Sequence, residues 1–124
     1  MSPDKFMKCI AASKHLPLNG DGSQSRDFTY VDDIARGIIA AQKPLSYEVI
    51  NLGNEHPHTI NEMISILENL LNKKAMIEHH PFNASDMMHT FANTEKARKL
   101  LNWQPTIALA EGLKLMVEGT KMEY

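Results

Sequence analysis

A mixed α/β (α+β) architecture, short strands interleaved with amphipathic helices, is what this 124-residue sequence predicts. Three observations carry that expectation. Segments with the helical spacing of apolar residues alternate along the chain with segments of period two, and no repeat or low-complexity linker interrupts them. One helix opens on a full capping signature, Thr59 with Glu62. Apolar residues make up 43% and charged residues 23%, an ordinary globular mixture able to bury a core. Residues 1–124 therefore read as one domain.

The elements follow in order. Asp4 suits a helix start, and Phe6, Cys9, Ile10 and Ser13 fall on one face of a helix over 5–13. His15-Leu16-Pro17-Leu18-Asn19 reads as an edge strand, because Pro17 cannot donate to a central ladder. Gly20 to Ser23 is a turn. Arg26 to Val31 alternates as a strand, with Arg26, Phe28 and Tyr30 on one side. Val31, Ile34, Ala35, Ile38 and Ile39 then take the helical spacing, Asp32 and Asp33 suit the positive end of the backbone dipole, and Pro44 marks the stop. Tyr47 to Leu52 reads as a second strand ended by Gly53. The Thr59-capped helix presents Ile60, Met63, Ile64, Leu67, Leu70 and Leu71 as a continuous stripe. A strand over 74–79, an irregular stretch over 81–88 and a short strand over 89–92 precede an Asn93-capped helix to Leu101. Leu109, Ala110, Leu113, Met116 and Val117 define a final amphipathic helix.

Composition removes several function classes. Thirteen Lys and Arg against fifteen Asp and Glu give a formal charge of -2, which argues against general nucleic-acid binding. No apolar run approaches a membrane span, and the first residues lack a charged-then-apolar export pattern, so the expectation is a soluble cytoplasmic protein without membrane contact. The lone Cys9 cannot close an internal disulfide, and its place on an apolar stripe suits packing better than nucleophilic chemistry. Six histidines show no i, i+4 zinc-type pair, so no metal is implied.

One constellation points to ligand chemistry. Gly20-Asp21-Gly22-Ser23-Gln24-Ser25 could turn its amides toward an anion, and Arg26 follows at once. A guanidinium presents planar donors that match phosphate oxygens two at a time. The alternative is an ion pair with Asp27, Asp32 or Asp33. Two absences accompany it: no Gly-x-Gly-x-x-Gly dinucleotide fingerprint, and no tyrosine with a lysine four residues on.

The blocks Gly20 to Ile34, Val49 to Gly53, Thr59 to Glu62, Ala92 to Lys99, Leu101 to Pro105 and Glu111 to Leu113 stand in a familiar order. In them the chain resembles the carboxy-terminal portion of an extended short-chain dehydrogenase/reductase, among the nucleotide-sugar epimerases and dehydratases, and most closely the UDP-glucuronate 4-epimerases. The resemblance implies a carboxy-terminal lobe without a complete Rossmann fold. In such enzymes the amino-terminal lobe binds NAD and carries the catalytic tyrosine and lysine, while the carboxy-terminal lobe holds the diphosphate of a UDP-sugar. The implied epimerase reaction passes through a 4-keto sugar. This chain would bind the UDP-sugar but no NAD, and would not turn over alone.

By the same resemblance, Arg26 matches an arginine on the diphosphate, and Asn19 and Phe28 match positions lining the uridine pocket. Asp86 matches an acid that accepts from ribose hydroxyls, and Thr90 lies where some relatives place a tyrosine near the diphosphate. Asn83 stands where many relatives carry a phosphate-binding arginine, a loss of one charge-assisted bond of about 1.5–3 kcal/mol. Ala108 replaces the usual Ser or Thr helix cap unless Thr106 substitutes. The face of the helix after Val31 that packs on the nucleotide-binding lobe in relatives would lack cover here, and self-association through it is expected. A 4,6-dehydratase or decarboxylase of the same superfamily, and a stand-alone binding or interaction module, are the competing readings.

Overall fold

The computed structural model describes residues 3–82, 88–89 and 92–123, with side chains as far as residue 119. Nine elements follow one another: α1 (Pro3–Ala11), β1 (His15–Asn19), β2 (Ser25–Arg26), α2 (Val31–Ala40), β3 (His58–Thr59), α3 (Ile60–Leu71), β4 (Met76–His80), α4 (Glu95–Leu101) and α5 (Leu109–Glu123). The mixed α/β class expected from the pattern is the class observed.

The larger core forms where the apolar stripes of three helices meet one strand. Phe6, Met7 and Ile10 of α1, Leu16 and Leu18 of β1, Ile60, Met63, Ile64 and Leu67 of α3, and Leu109, Leu113 and Val117 of α5 are all buried. Cys9 and Met116 pack half-buried against them. The α1 face differs from expectation at one end: Met7 is buried while Ser13 lies outside, because the helix stops at Ala11 and Ser13 turns left-handed. On α5, Ala110 faces solvent.

α3 begins as its sequence dictates. The Thr59 hydroxyl accepts from the Glu62 amide at 3.1 Å, and the Glu62 carboxylate accepts from the Thr59 amide at 3.4 Å. α4 is capped one residue later than expected, at Thr94, although the Asn93 side chain still accepts from the Glu95 amide at 3.1 Å. α5 starts behind Ala108 while Thr106 serves elsewhere, its hydroxyl donating to Asp33.

β1 pairs in parallel with β4, Leu16 opposite Ile77 and Leu18 opposite His79. β4 is β1's only neighbour among the described residues, which leaves Pro17 the free edge that its missing N–H requires. β2 pairs antiparallel with β3, Ser25 opposite Thr59 and Arg26 opposite His58.

Two expected strands are not formed as expected. The strand over 26–31 ends at Arg26, because the next side chain, Asp27, gathers amides from elsewhere instead of continuing a ladder. Tyr47 to Leu52 has no strand partner among the described residues, and a strand exists only as part of a ladder. Its alternation survives all the same: Ile50 and Leu52 pack on a second, smaller core of Ala97, Leu101 and Trp103, while Tyr47 is 92% exposed. Of the short strand expected over 89–92, His89 makes one parallel bridge to Ser25 and residues 90 and 91 lie outside the described residues.

α2 belongs to this second region. Its buried residues are Asp33 and Gly37, whereas Val31, Ile38 and Ile39 are 66%, 57% and 67% exposed. An added methyl at Gly37 would run into the Leu52 side chain, so a glycine is what lets α2 lie this close.

Candidate functional site

The glycine turn is organised by its own side chains. Gly20 and Gly22 take φ of 84° and 83°, the left-handed region that favours glycine. A Cβ on Gly22 would collide with the Asn61 amide group of α3. The Asp21 carboxylate accepts from the Ser23 hydroxyl at 2.6 Å and the Ser23 amide at 2.9 Å, and these bonds hold its pKa below the ordinary aspartate value. The turn is also strapped to the start of α3, whose Ile60 and Asn61 amides donate to Gln24 O and Gly22 O. The Ser23 amide, one donor an anion nest would have used, is thus already engaged.

Arg26 leaves this turn as the last residue of β2. Its Nη1 donates to the Ser25 carbonyl at 2.8 Å and to the Met88 carbonyl at 3.3 Å. No carboxylate pairs with it among the described residues, so the ion-pair alternative drops away. Asp33 is committed to Arg36, Thr106 and Ile107, and Asp27 to three backbone amides. A half-buried guanidinium whose partners among the described residues are neutral carbonyls has donors suited to an incoming anion.

Met88 and His89 are stitched to β2 beside it. The Ser25 amide donates to Met88 O at 2.9 Å, and the Ser25 hydroxyl lies 2.8 Å from His89 Nδ1. Asp27 completes the seam, accepting from the Ala92 and Glu55 amides at 3.0 Å each and from the Asn54 amide at 2.9 Å. Arg26 therefore sits where β2, β3 and residues 88 and 89 meet.

The other expected site residues divide. Asn19, half-buried at the end of β1, accepts at its carbonyl from Gln24 Nε2 at 2.7 Å. Phe28 packs on the larger core and lines an apolar cavity of about 260 Å3 with Tyr30, Leu109, Gly112 and Met116. Arg26 does not line that cavity. Asn83, Asp86 and Thr90 lie outside the described residues.

Three contributors escaped the sequence reading. Asp27 was legible only as a possible partner of Arg26; the signal overlooked is an acid at the end of a strand that faces backbone amides. Asp33 was assigned to the helix dipole, yet it anchors α2 to the segment after Trp103. Its carboxylate accepts from Arg36 at 2.7 Å, the Thr106 hydroxyl at 2.9 Å, and the Thr106 and Ile107 amides at 3.1 and 3.0 Å. Burial alone would raise its pKa, and these four donors outweigh burial and hold it below the ordinary value. Its own carbonyl accepts from Trp103 Nε1 at 2.9 Å. The third is His58, opposite Arg26, which a search for metal pairs passes over.

Among the described residues no three His, Cys, Asp or Glu gather as a metal site, and no helix is long and apolar enough to cross a membrane.

Comparison with known proteins places this geometry. Residues 3–116 match the family model described as GDP-mannose 4,6 dehydratase. The chain is 52% identical, over 98% of its length, to a UDP-glucuronate 4-epimerase of Thermodesulfobacterium geofontis (strain OPF15), and spans 38% of that protein. It is 36% identical to UDP-glucuronic acid decarboxylase 1 of Arabidopsis thaliana over 84% of its own length and 24% of the relative's. The solved UDP-glucuronic acid 4-epimerase of Bacillus cereus, in complex with UDP-glucuronic acid and NAD, superposes on the whole chain with a TM-score of 0.91 at 35% identity, over 40% of that structure. The chain belongs to the GDP-mannose 4,6 dehydratase family, and its fold is that of the carboxy-terminal portion of an extended short-chain dehydrogenase/reductase.

Proposed function

We propose that this chain is the part of an NAD-dependent UDP-sugar epimerase that holds the nucleotide diphosphate, in an enzyme of the UDP-glucuronate 4-epimerase kind. The observation that carries the reading is Arg26: a half-buried guanidinium beside a glycine turn, bound among the described residues to neutral carbonyls alone. The relatives named above support the substrate class, and because the chain spans well under half of each, the whole enzyme's activity is part of the proposal.

Arg26 would pair with the diphosphate, with Asn19 and Phe28 toward the uridine and Asn83, Asp86 and Thr90 along the ribose and phosphates. Binding energy spent there fixes the sugar for chemistry supplied elsewhere. NAD does not suit the residues of this chain. The glycine turn runs into a two-residue strand instead of a helix amino terminus, and its Ser23 amide is taken by Asp21. NAD, the catalytic tyrosine and lysine, and the passage through a 4-keto sugar therefore belong to the portion of the relatives beyond this span, and this chain alone is not catalytic. It works in the cytoplasm. The same portion would cover the exposed face of α2; without it, that face drives self-association.

A decarboxylase of the same superfamily is the second reading, favoured by the 36% identity to the plant enzyme. Both readings use the same anchor. Calorimetric titration with UDP tests it: Arg26→Ala should weaken binding at least tenfold, the worth of one charge-assisted contact of about 1.5–3 kcal/mol. Unchanged affinity would remove the role given to Arg26.

A further inference from the structure

We propose that His58 is a second anion-binding side chain of this site, adding a proton-dependent contact to the diphosphate group of a nucleoside diphosphate sugar beside Arg26; the inference rests on the reading of Arg26 given above. The first observation is register. β2 and β3 are antiparallel with Arg26 directly opposite His58, and cross-strand partners project from the same face of a ladder with their Cβ atoms about 5 Å apart. The second is the hold on the ring. His58 Nδ1 lies 2.9 Å from Glu62 Oε2, one turn into α3, and this bond is the main reason the Glu62 carboxyl sits below the ordinary glutamate value. The third is access: the His58 side chain is 30% exposed, and Nε2 has no protein partner among the described residues.

These features fit together chemically. Among the described residues the charged group bonded to the imidazole is Glu62 from α3, and Arg26 is its register partner on β2. With Nδ1–H donated to Glu62, a neutral ring presents a lone pair at Nε2, which repels a phosphate oxygen. Protonation would turn Nε2 into a charged donor. Arg26 alone offers a fixed charge, whereas an imidazole adds one only in its protonated form. A diphosphate diester carries two negative charges that do not titrate near neutrality, so any pH dependence of its binding comes from the protein.

The test uses the chain as it is, with UDP-glucose as probe because its diphosphate has no protonation step near pH 7. Affinity is measured between about pH 6 and about pH 8 for the unaltered chain, His58→Ala, His58→Gln and Arg26→Ala. Affinity of the unaltered chain should rise about three- to tenfold on acidification, and both His58 variants should lose that rise while unfolding at the same temperature without ligand. His58 profiles parallel to that of the unaltered chain would overturn the inference even if Arg26→Ala binds weakly. Unchanged affinity in Arg26→Ala would overturn the anchor reading itself, and the inference with it.

Discussion

The two cores of this molecule are built on different terms. The region formed by α1, β1, α3 and α5 covers itself: twelve buried apolar residues from four elements face one another, and α3 carries its own cap. The region formed by α2, residues 45–52 and α4 has three buried apolar residues, and it shows Val31, Ile38, Ile39, Tyr47 and Val49 to solvent. What holds the second region together is polar. Asp33 ties α2 to Thr106 and Ile107, Arg36 reaches Gln104 O at 2.8 Å and lies over the Trp103 ring, and Arg98 pairs with Glu55. One half is a finished interior; the other is a layer with one face packed. Stability should therefore respond to methylene deletion in the first region and to charge in the second.

The largest effect should come from the finished interior. Leu67→Ala opens a cavity among fully buried neighbours and should cost about 2–5 kcal/mol, read as a shift in the urea midpoint at constant slope. A cost below about 1 kcal/mol would mean that this core is loosely packed and the contrast is false.

Next is the polar anchor. Asp33→Ala strands two amides and should cost about 2–3 kcal/mol. Because its folded-state pKa is depressed, the contribution of Asp33 is fully present above the ordinary aspartate value near 3.8 and is lost as pH falls through the lower folded value. Asp33→Asn should therefore flatten the acid limb of the stability profile. An acid limb identical in both proteins would place the titrating group elsewhere.

The smallest effect on stability, within about 0.5 kcal/mol, is expected for Ile38→Ser with Ile39→Ser, since both side chains already face water. Their effect should appear in size-exclusion chromatography instead, as a later elution from loss of self-association. A strictly monomeric unaltered chain would remove the association proposed for this face.

The same division explains what the sequence could reveal. Helices of the finished interior were legible because each carries its own periodicity and, for α3, its own cap, all local properties. The segment 47–52 was misread as a strand because alternation reports which side is buried, not whether a neighbouring strand exists; Ile50 and Leu52 do face inward. Arg26 could be singled out from its place after the glycine turn. The roles of Asp27, Asp33 and His58 could not, since each depends on partners far along the chain: Ala92, Thr106 and the register with β2.

The most direct test of the account is an NMR titration of the chain with UDP-glucose, following the backbone amides and the Arg26 side chain. The account predicts saturable shifts centred on Arg26, Ser25 and His58, with the α1–α3–α5 interior unmoved. Shifts confined to other surfaces, or none at millimolar ligand, would contradict it.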